Sequence, residues 1–249
     1  MPGASVVWTA LEIHAERIST SQQVIAELNR RRADLPTSSK LSFAESSYDE
    51  LIVRNPNVKW VPTSGLRMQH ADQNPDFSSL MTLNERLQGD FDVALDFEIE
   101  TLTKPVSGEP SLLAFQIEFP DPEWTRYQAV LFQDSSGMSR LAVHRQCASA
   151  RTGKDESIEP HAVVLKTVTG LRIARRGQDI TMVATSPEYG GEFVLAQFQQ
   201  SLPPLPTKLN VFARAGGRDA ELSILLKQML LSRQTGEPQP EDRKRSGCQ

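Results

Sequence analysis

Gly89-Asp90-Phe91-Asp92-Val93-Ala94-Leu95-Asp96-Phe97-Glu98-Ile99-Glu100 is the stretch whose reading decides the fold. Phe91, Val93, Leu95, Phe97 and Ile99 alternate with Asp92, Ala94, Asp96, Glu98 and Glu100. Strict alternation over ten residues is the signature of a β-strand with one dry face and one wet, acidic face. Gly89-Asp90 opens it as a turn would. The usual strand has ~5–6 residues, so this one is expected to cross a large antiparallel sheet.

Working outward, the texture from residue 40 onward stays the same: short apolar-alternating runs punctuated by Gly, Pro, Asn, Asp and Ser. Strands are expected near 41–44, 58–61, 65–70, 79–84, 90–102, 111–119, 127–133, 139–146, 161–168, 170–176, 179–185, 192–198, 207–215 and 219–231. The last is contested. Leu222, Leu225, Leu226 and Met229 fit a helix, whereas Leu222, Ile224, Leu226 and Leu230 fit a strand. Local propensity favours the helix, and the surrounding all-β pattern favours a closing strand, which is the reading taken. Leu171–Ala174 and Ile180–Ala184 flank Arg175-Arg176-Gly177-Gln178-Asp179 and form an expected hairpin.

Ahead of this block, residues 5–32 read as a helix with Val7, Leu11, His14, Ile18, Ile25 and Leu28 on one face. Arg30-Arg31-Arg32 suit its C-terminal end, Leu35-Pro36 stops it, and Ser19-Thr20-Ser21 is a point where it can divide. The expected organisation is a helical segment at 1–36, an all-β sandwich at 37–233 and a polar, disordered tail at 234–249.

Composition bounds the function. Of 249 residues, 39% are hydrophobic and 23% charged, as in an ordinary globular chain, and the formal net charge is -4. That balance argues against nucleic acid as a partner. No apolar run reaches the ~20 residues of a membrane span. Met1 to Ala10 lacks the basic and apolar regions of a signal peptide. The chain is therefore read as cytoplasmic or as a piece of a longer protein. Cys147 and Cys248 are expected as free thiols. His14, His70, His144 and His161 show no metal spacing, His70-Ala71-Asp72 with Asp76 makes a poor calcium loop, and no cofactor motif is present.

The order of several features resembles a known superfamily. Val58-Lys59-Trp60 is followed by Gly65-Leu66-Arg67, the Gly-Asp-Phe-Asp-Val strand at 89–93 and the Leu171–Gly177 hairpin. Gly190-Gly191-Glu192-Phe193 and a final strand after Gly216-Gly217 complete the series. Over residues 40–232 this resembles the concanavalin A-like lectin/glucanase jelly rolls, and more narrowly the sandwich domain of uncharacterised function in large planctomycete proteins. The resemblance implies two curved antiparallel sheets and often an extracytoplasmic setting. It implies no fixed activity, because lectins, hydrolases and inert spacers share the fold.

Asp96, Glu98 and Glu100 are the catalytic candidates. Laminarinase-like hydrolases of that superfamily carry Glu-x-Asp-x-Glu on one strand, and here the row is Asp-x-Glu-x-Glu. Retaining chemistry needs two carboxyls ~5–5.5 Å apart. The simpler reading is a solvated acidic face opposed by Arg or Lys on neighbouring strands. Trp124 and Tyr127, with Trp60, are candidate sugar-stacking rings, and His144 and Arg172 are candidate ligand contacts on strand faces. Rings packed over the sandwich and ordinary polar face positions are the alternatives. The expectation is a non-catalytic binding or interaction module whose partner is a carbohydrate or another protein domain. A glycoside hydrolase using the carboxylate row and a purely structural domain are the competing readings.

Overall fold

A computed structural model describes residues 21–45, 51–54, 58–70, 78–104, 110–119, 124–133, 136–148, 155–158, 163–165, 167–199, 206–216 and 220–234. Two antiparallel sheets stack face to face. The first runs in the order β14 (Gly191–Gln199), β13 (Asp179–Ser186), β12 (Gly170–Arg176), β6 (Phe91–Leu102), β16 (Leu222–Arg233), β4 (Gly65–His70) and β3 (Val58–Val61), and β1 (Thr37–Ser42) also pairs with β16. The second runs β10 (Asp155–Ile158), β9 (Ser139–Ala148), β8 (Trp124–Gln133), β7 (Leu112–Phe119), β15 (Lys208–Arg214), β5 (Ser78–Leu83) and β2 (Leu51–Arg54), with β11 (Val163–Val164) on β9.

The core lies between the sheets and is built from alternate residues of both. Phe91, Val93, Leu95 and Phe97 of β6 are buried against it, with Leu113, Phe115, Ile117 and Phe119 of β7 and Leu209, Val211 and Ala213 of β15 contributed by the facing sheet. Each such fully buried large side chain stabilises the fold by about 1.5–3 kcal/mol.

Residues 220–231 are strand, and the ambiguity of their sequence has a structural cause. The inward residues of β16 are Leu222, Ile224, Leu226, Met229 and Leu231, so the alternation slips by one residue at Lys227. The register with β6 shifts between Leu226 and Gln228, which makes Lys227 the extra residue of a β-bulge. On its other edge β16 is shared end to end. Leu222–Leu226 pair with β4, Gln228–Arg233 pair with β1, and the N–H of Phe43 donates to the carbonyl of Lys227 at the junction. Gly65 passes that junction so closely that a Cβ would sit 2.1 Å from the Leu226 carbonyl oxygen.

The hairpin β12–β13 turns through Gly177 and Gln178, and Gly177 has φ 60°, the conformation that glycine adopts without strain. Strands β2 and β10 were not legible in the sequence, being four-residue strands at the two edges of the second sheet. The strand expected at 161–168 shortens to Val163–Val164, after which Leu165 and Val168 are buried in the core.

Residues 21–33 are helical (α1) and lie on the outer face of the first sheet. Ile25 and Leu28 pack on Ala174 and Val183, as the apolar face of α1 requires. That cover explains why β12 is buried along its whole length. The helical expectation for 5–20 and the disordered tail expected at 235–249 lie outside the described residues, as do the side chains of His70, Trp124 and Cys147, residues 71–76 and Cys248. No helix among the described residues is long and apolar enough to cross a membrane.

Candidate functional site

The outer faces of the two sheets differ. On the first sheet every acidic position of β6 has a partner. Asp92 is completely buried, and Arg172 donates to it through Nε and Nη2, both at 2.8 Å. Arg176 adds a 3.2 Å contact to the same carboxylate. Asn29 and Glu192 take the remaining Nη1 of Arg172, so α1 closes the cluster from above. Burial works against the Arg172 cation, but Asp92 and then Glu192 raise its pKa. The Arg176 guanidinium is pushed down by burial, against the pull of Asp92 and Asp90.

Further along β6, the side-chain amide of Gln228 donates to Asp96, and Lys227 sits 2.8 Å from Glu98. Arg67 grips Glu100 with two hydrogen bonds of 2.8 and 2.6 Å, and Ser223 adds a third. The Arg67 hydrogen bond is the main reason the Glu100 carboxyl lies below its ordinary value. Asp96, Glu98 and Glu100 thus line one face of the first sheet, Glu98 and Glu100 in ion pairs and Asp96 held by an amide.

Two ligand candidates are placed elsewhere as well. Arg172 is the buried partner of Asp92 under α1 and does not face solvent. Tyr127 is on the inward side of β8, fully buried, with its ring edge-on to Phe119 and tilted on Phe198. Its parity with Ala129 and Leu131, not its neighbours in the preceding loop, decides its direction. Trp60 is 41% exposed on β3, at an edge of the first sheet, with its indole N–H donating to the Ala44 carbonyl.

The outer face of the second sheet is a groove of about 930 Å³, and His144 lines it. Its floor is banded, because antiparallel register aligns outward residues of five strands into cross-strand rows. Thr82, Asn210, Gln116, Gln128 and His144 are successive partners across β5, β15, β7, β8 and β9. With neighbouring strands ~4.8 Å apart, this polar row is about 19 Å long. Thr82 donates to the side-chain oxygen of Asn210 at 2.8 Å, which orients that amide. The row on one side is charged: Lys208, Glu118, Arg126 and Gln146 are aligned by the same register, with Arg126 3.2 Å from Glu118. The row on the other side is apolar: Leu80, Phe212, Ala114 and Val130.

Such a floor offers amide donors and acceptors beside apolar patches, which suits a ligand rich in hydroxyl groups and C–H faces. Glu118 is the one carboxylate among the described lining residues. The sequence marked His144 alone of these. Gln116, Gln128 and Asn210 were visible as polar residues at outward positions of otherwise apolar strands, but their alignment depends on pairing between segments far apart in the chain.

Residues 53–231 match the family described as "Protein of unknown function (DUF1583) C domain". The chain belongs to that family. No curated protein matches the sequence. Among solved structures, the DUF1583 sandwich is similar to the CBM2 module of the evolved Dit of Lactobacillus casei BL23 phage J-1, with TM-score 0.56 and 9% identity over 80% of this chain and 97% of that one. It is similar to a legume lectin-like domain from Entamoeba histolytica, with TM-score 0.52 and 9% identity over 75% and 91%. It also matches the kappa-carrageenase from Pseudoalteromonas carrageenovora in complex with an oligotetrasaccharide, with TM-score 0.51 and 9% identity over 79% and 96%. At these identities the likeness shows the fold alone: two stacked antiparallel sheets arranged as in the jelly rolls of those proteins.

Proposed function

We propose that this DUF1583 domain is a non-catalytic carbohydrate-binding module and that its glycan lies along the groove of the second sheet. The observation that carries the reading is the aligned row Thr82–Asn210–Gln116–Gln128–His144, flanked by the apolar row with Phe212. Five polar side chains at strand spacing give an extended polymer a repeated set of hydrogen-bonding positions, and Phe212 and Val130 provide surface for sugar C–H faces. His144 contacts the ligand from β9. Trp124, which begins β8 two residues before Arg126, is proposed as a rim platform. The lectin and carbohydrate-active neighbours of the fold support a saccharide as the ligand class.

Binding is favoured over hydrolysis by the carboxylate census. Glycoside hydrolysis uses two carboxyl groups flanking the scissile bond, and the described groove residues supply Glu118, already paired with Arg126. An extracytoplasmic setting, within a longer protein, fits this role and is part of the proposal.

The test is a glycan array followed by polysaccharide pull-down with the full chain and with Gln128→Ala and Trp124→Ala. The proposal expects binding by the parent chain, loss on each substitution with the fold retained, and no release of reducing sugar. Reducing-sugar release abolished by Glu118→Gln would instead establish a hydrolase. An empty array would leave a structural domain.

A further inference from the structure

The groove does not share the charge of the chain. A polypeptide with formal net charge -4 places four cationic side chains, Arg86, Arg126, Lys208 and Arg214, around the groove against the single described carboxylate Glu118. On the opposite outer face the carboxylates Asp96, Glu98 and Glu100 of β6 are each matched by a partner, whereas in the groove the cations outnumber the carboxylates. The charges of the groove are also ordered. Lys208, Glu118 and Arg126 are successive cross-strand partners, so Glu118 offsets a cation on one side and leaves the other end positive. Leu87 and Thr207 exchange two backbone hydrogen bonds of 2.9 and 2.8 Å, and Arg86 and Lys208 flank this antiparallel bridge on the same side. Both side chains are exposed, and among the described residues neither makes an ion pair.

We infer that the Arg86–Lys208 end of the groove receives an anionic substituent, so that the glycan is an acidic polysaccharide carrying sulfate or carboxylate groups. This rests on the carbohydrate-binding reading above and names its ligand class. The physical basis is charge complementarity. Exposed like charges brought together repel unless a counter-charge joins them, and a guanidinium fork beside an ammonium matches the oxygens of a sulfate or carboxylate in charge and geometry. The neutral amide row then holds the sugar ring carrying that group, and the distance between the two rows is ~7 Å, two residues along a strand.

The experiment titrates the full chain with four probes: a sulfated galactan, its chemically desulfated form, a polyuronate, and poly-L-glutamate as a polyanion that is not a sugar. Each is repeated with the Arg86→Gln/Lys208→Gln double variant, checked for an unchanged melting temperature. The inference expects the sulfated galactan or the polyuronate to bind, and to bind less tightly as ionic strength rises. The double variant should lose about tenfold or more in affinity, the size of one charge-assisted contact. Preference for the sulfated galactan or for the polyuronate identifies the substituent, and both support the inference. Equal binding of the desulfated polymer, unaltered in the double variant, would overturn the inference and leave the carbohydrate-binding reading standing. Equal binding of poly-L-glutamate, or tighter binding of single-stranded DNA in a parallel titration, would overturn it in favour of a non-sugar polyanion. Absence of binding to every glycan would overturn both readings together.

Discussion

Arg172 meets Asp92 through two hydrogen bonds of 2.8 Å, and the Asp92 carboxylate is wholly buried beneath helix α1. Three strands and a helix are fastened there, because Arg176, Glu192 of β14 and Asn29 of α1 join the same cluster. Removing one member leaves buried charge without compensation. Asp92→Ala is expected to lower stability by about 3–5 kcal/mol, since Arg172 and Arg176 remain in place. In a double-mutant cycle with Arg172→Met the two losses should overlap strongly and not add. Urea unfolding of the four proteins measures this, and simple additivity would contradict the account.

The acidic row behaves differently at each position. Lys227 and Glu98 form an exposed pair, so Glu98→Gln should change stability by no more than about 0.5 kcal/mol at pH 7. Thermal melts would show it. A clear gain in stability that vanished at pH 4 would mean that the carboxylates repel one another across an unfilled site.

Glu100 predicts a pH dependence. The Arg67 hydrogen bond comes first among the causes that hold its carboxyl below the ordinary value, with Ser223 and the charge of Lys227 adding to it against burial. A carboxyl depressed in the folded state contributes stability that is complete above its unfolded pKa of about 4.3 and is lost as pH falls through the lower folded value. Glu100→Gln should therefore be less stable than the parent at pH 7, by up to about 1 kcal/mol for a pair at this partly exposed site. The difference should shrink as pH falls below the unfolded value and vanish once the folded carboxyl is protonated as well. A difference that persisted in acid would assign the loss to packing.

The hairpin β3–β4 yields two substitutions of opposite sign. Gly65 has φ 144° and abuts the Leu226 carbonyl, so Gly65→Ala should cost at least about 2 kcal/mol. Thr63 holds φ 62°, which is unfavourable for a β-branched residue, so Thr63→Gly should gain about 0.5–1 kcal/mol. Denaturant midpoints for the pair check both signs.

The sequence made the faces of the strands legible, because alternation is local: β6 and the β12–β13 hairpin follow from their own residues. Strand β16 resisted because the bulge at Lys227 shifts its inward set from Leu226 to Met229, and a slipped alternation resembles a helical repeat. The loop that precedes Tyr127 suggests an exposed ring, but its parity with Ala129 and Leu131 turns it inward. The groove was the least legible part. Gln116, Gln128 and Asn210 are unremarkable where they stand, and only register across β15, β7 and β8 brings them into one row with His144. Pairing between distant segments cannot be inferred from either segment alone.

The most direct test of the central claim is residue-resolved: amide chemical-shift mapping of the labelled chain during titration with whichever polysaccharide the array selects. The perturbed residues are expected to be Thr82, Asn210, Gln116, Gln128 and His144, with Arg86 and Lys208 beside them. Strand β6 from Asp96 to Glu100 is expected to stay silent. Perturbations gathered on Asp96, Glu98 and Glu100, with the groove unmoved, would contradict it.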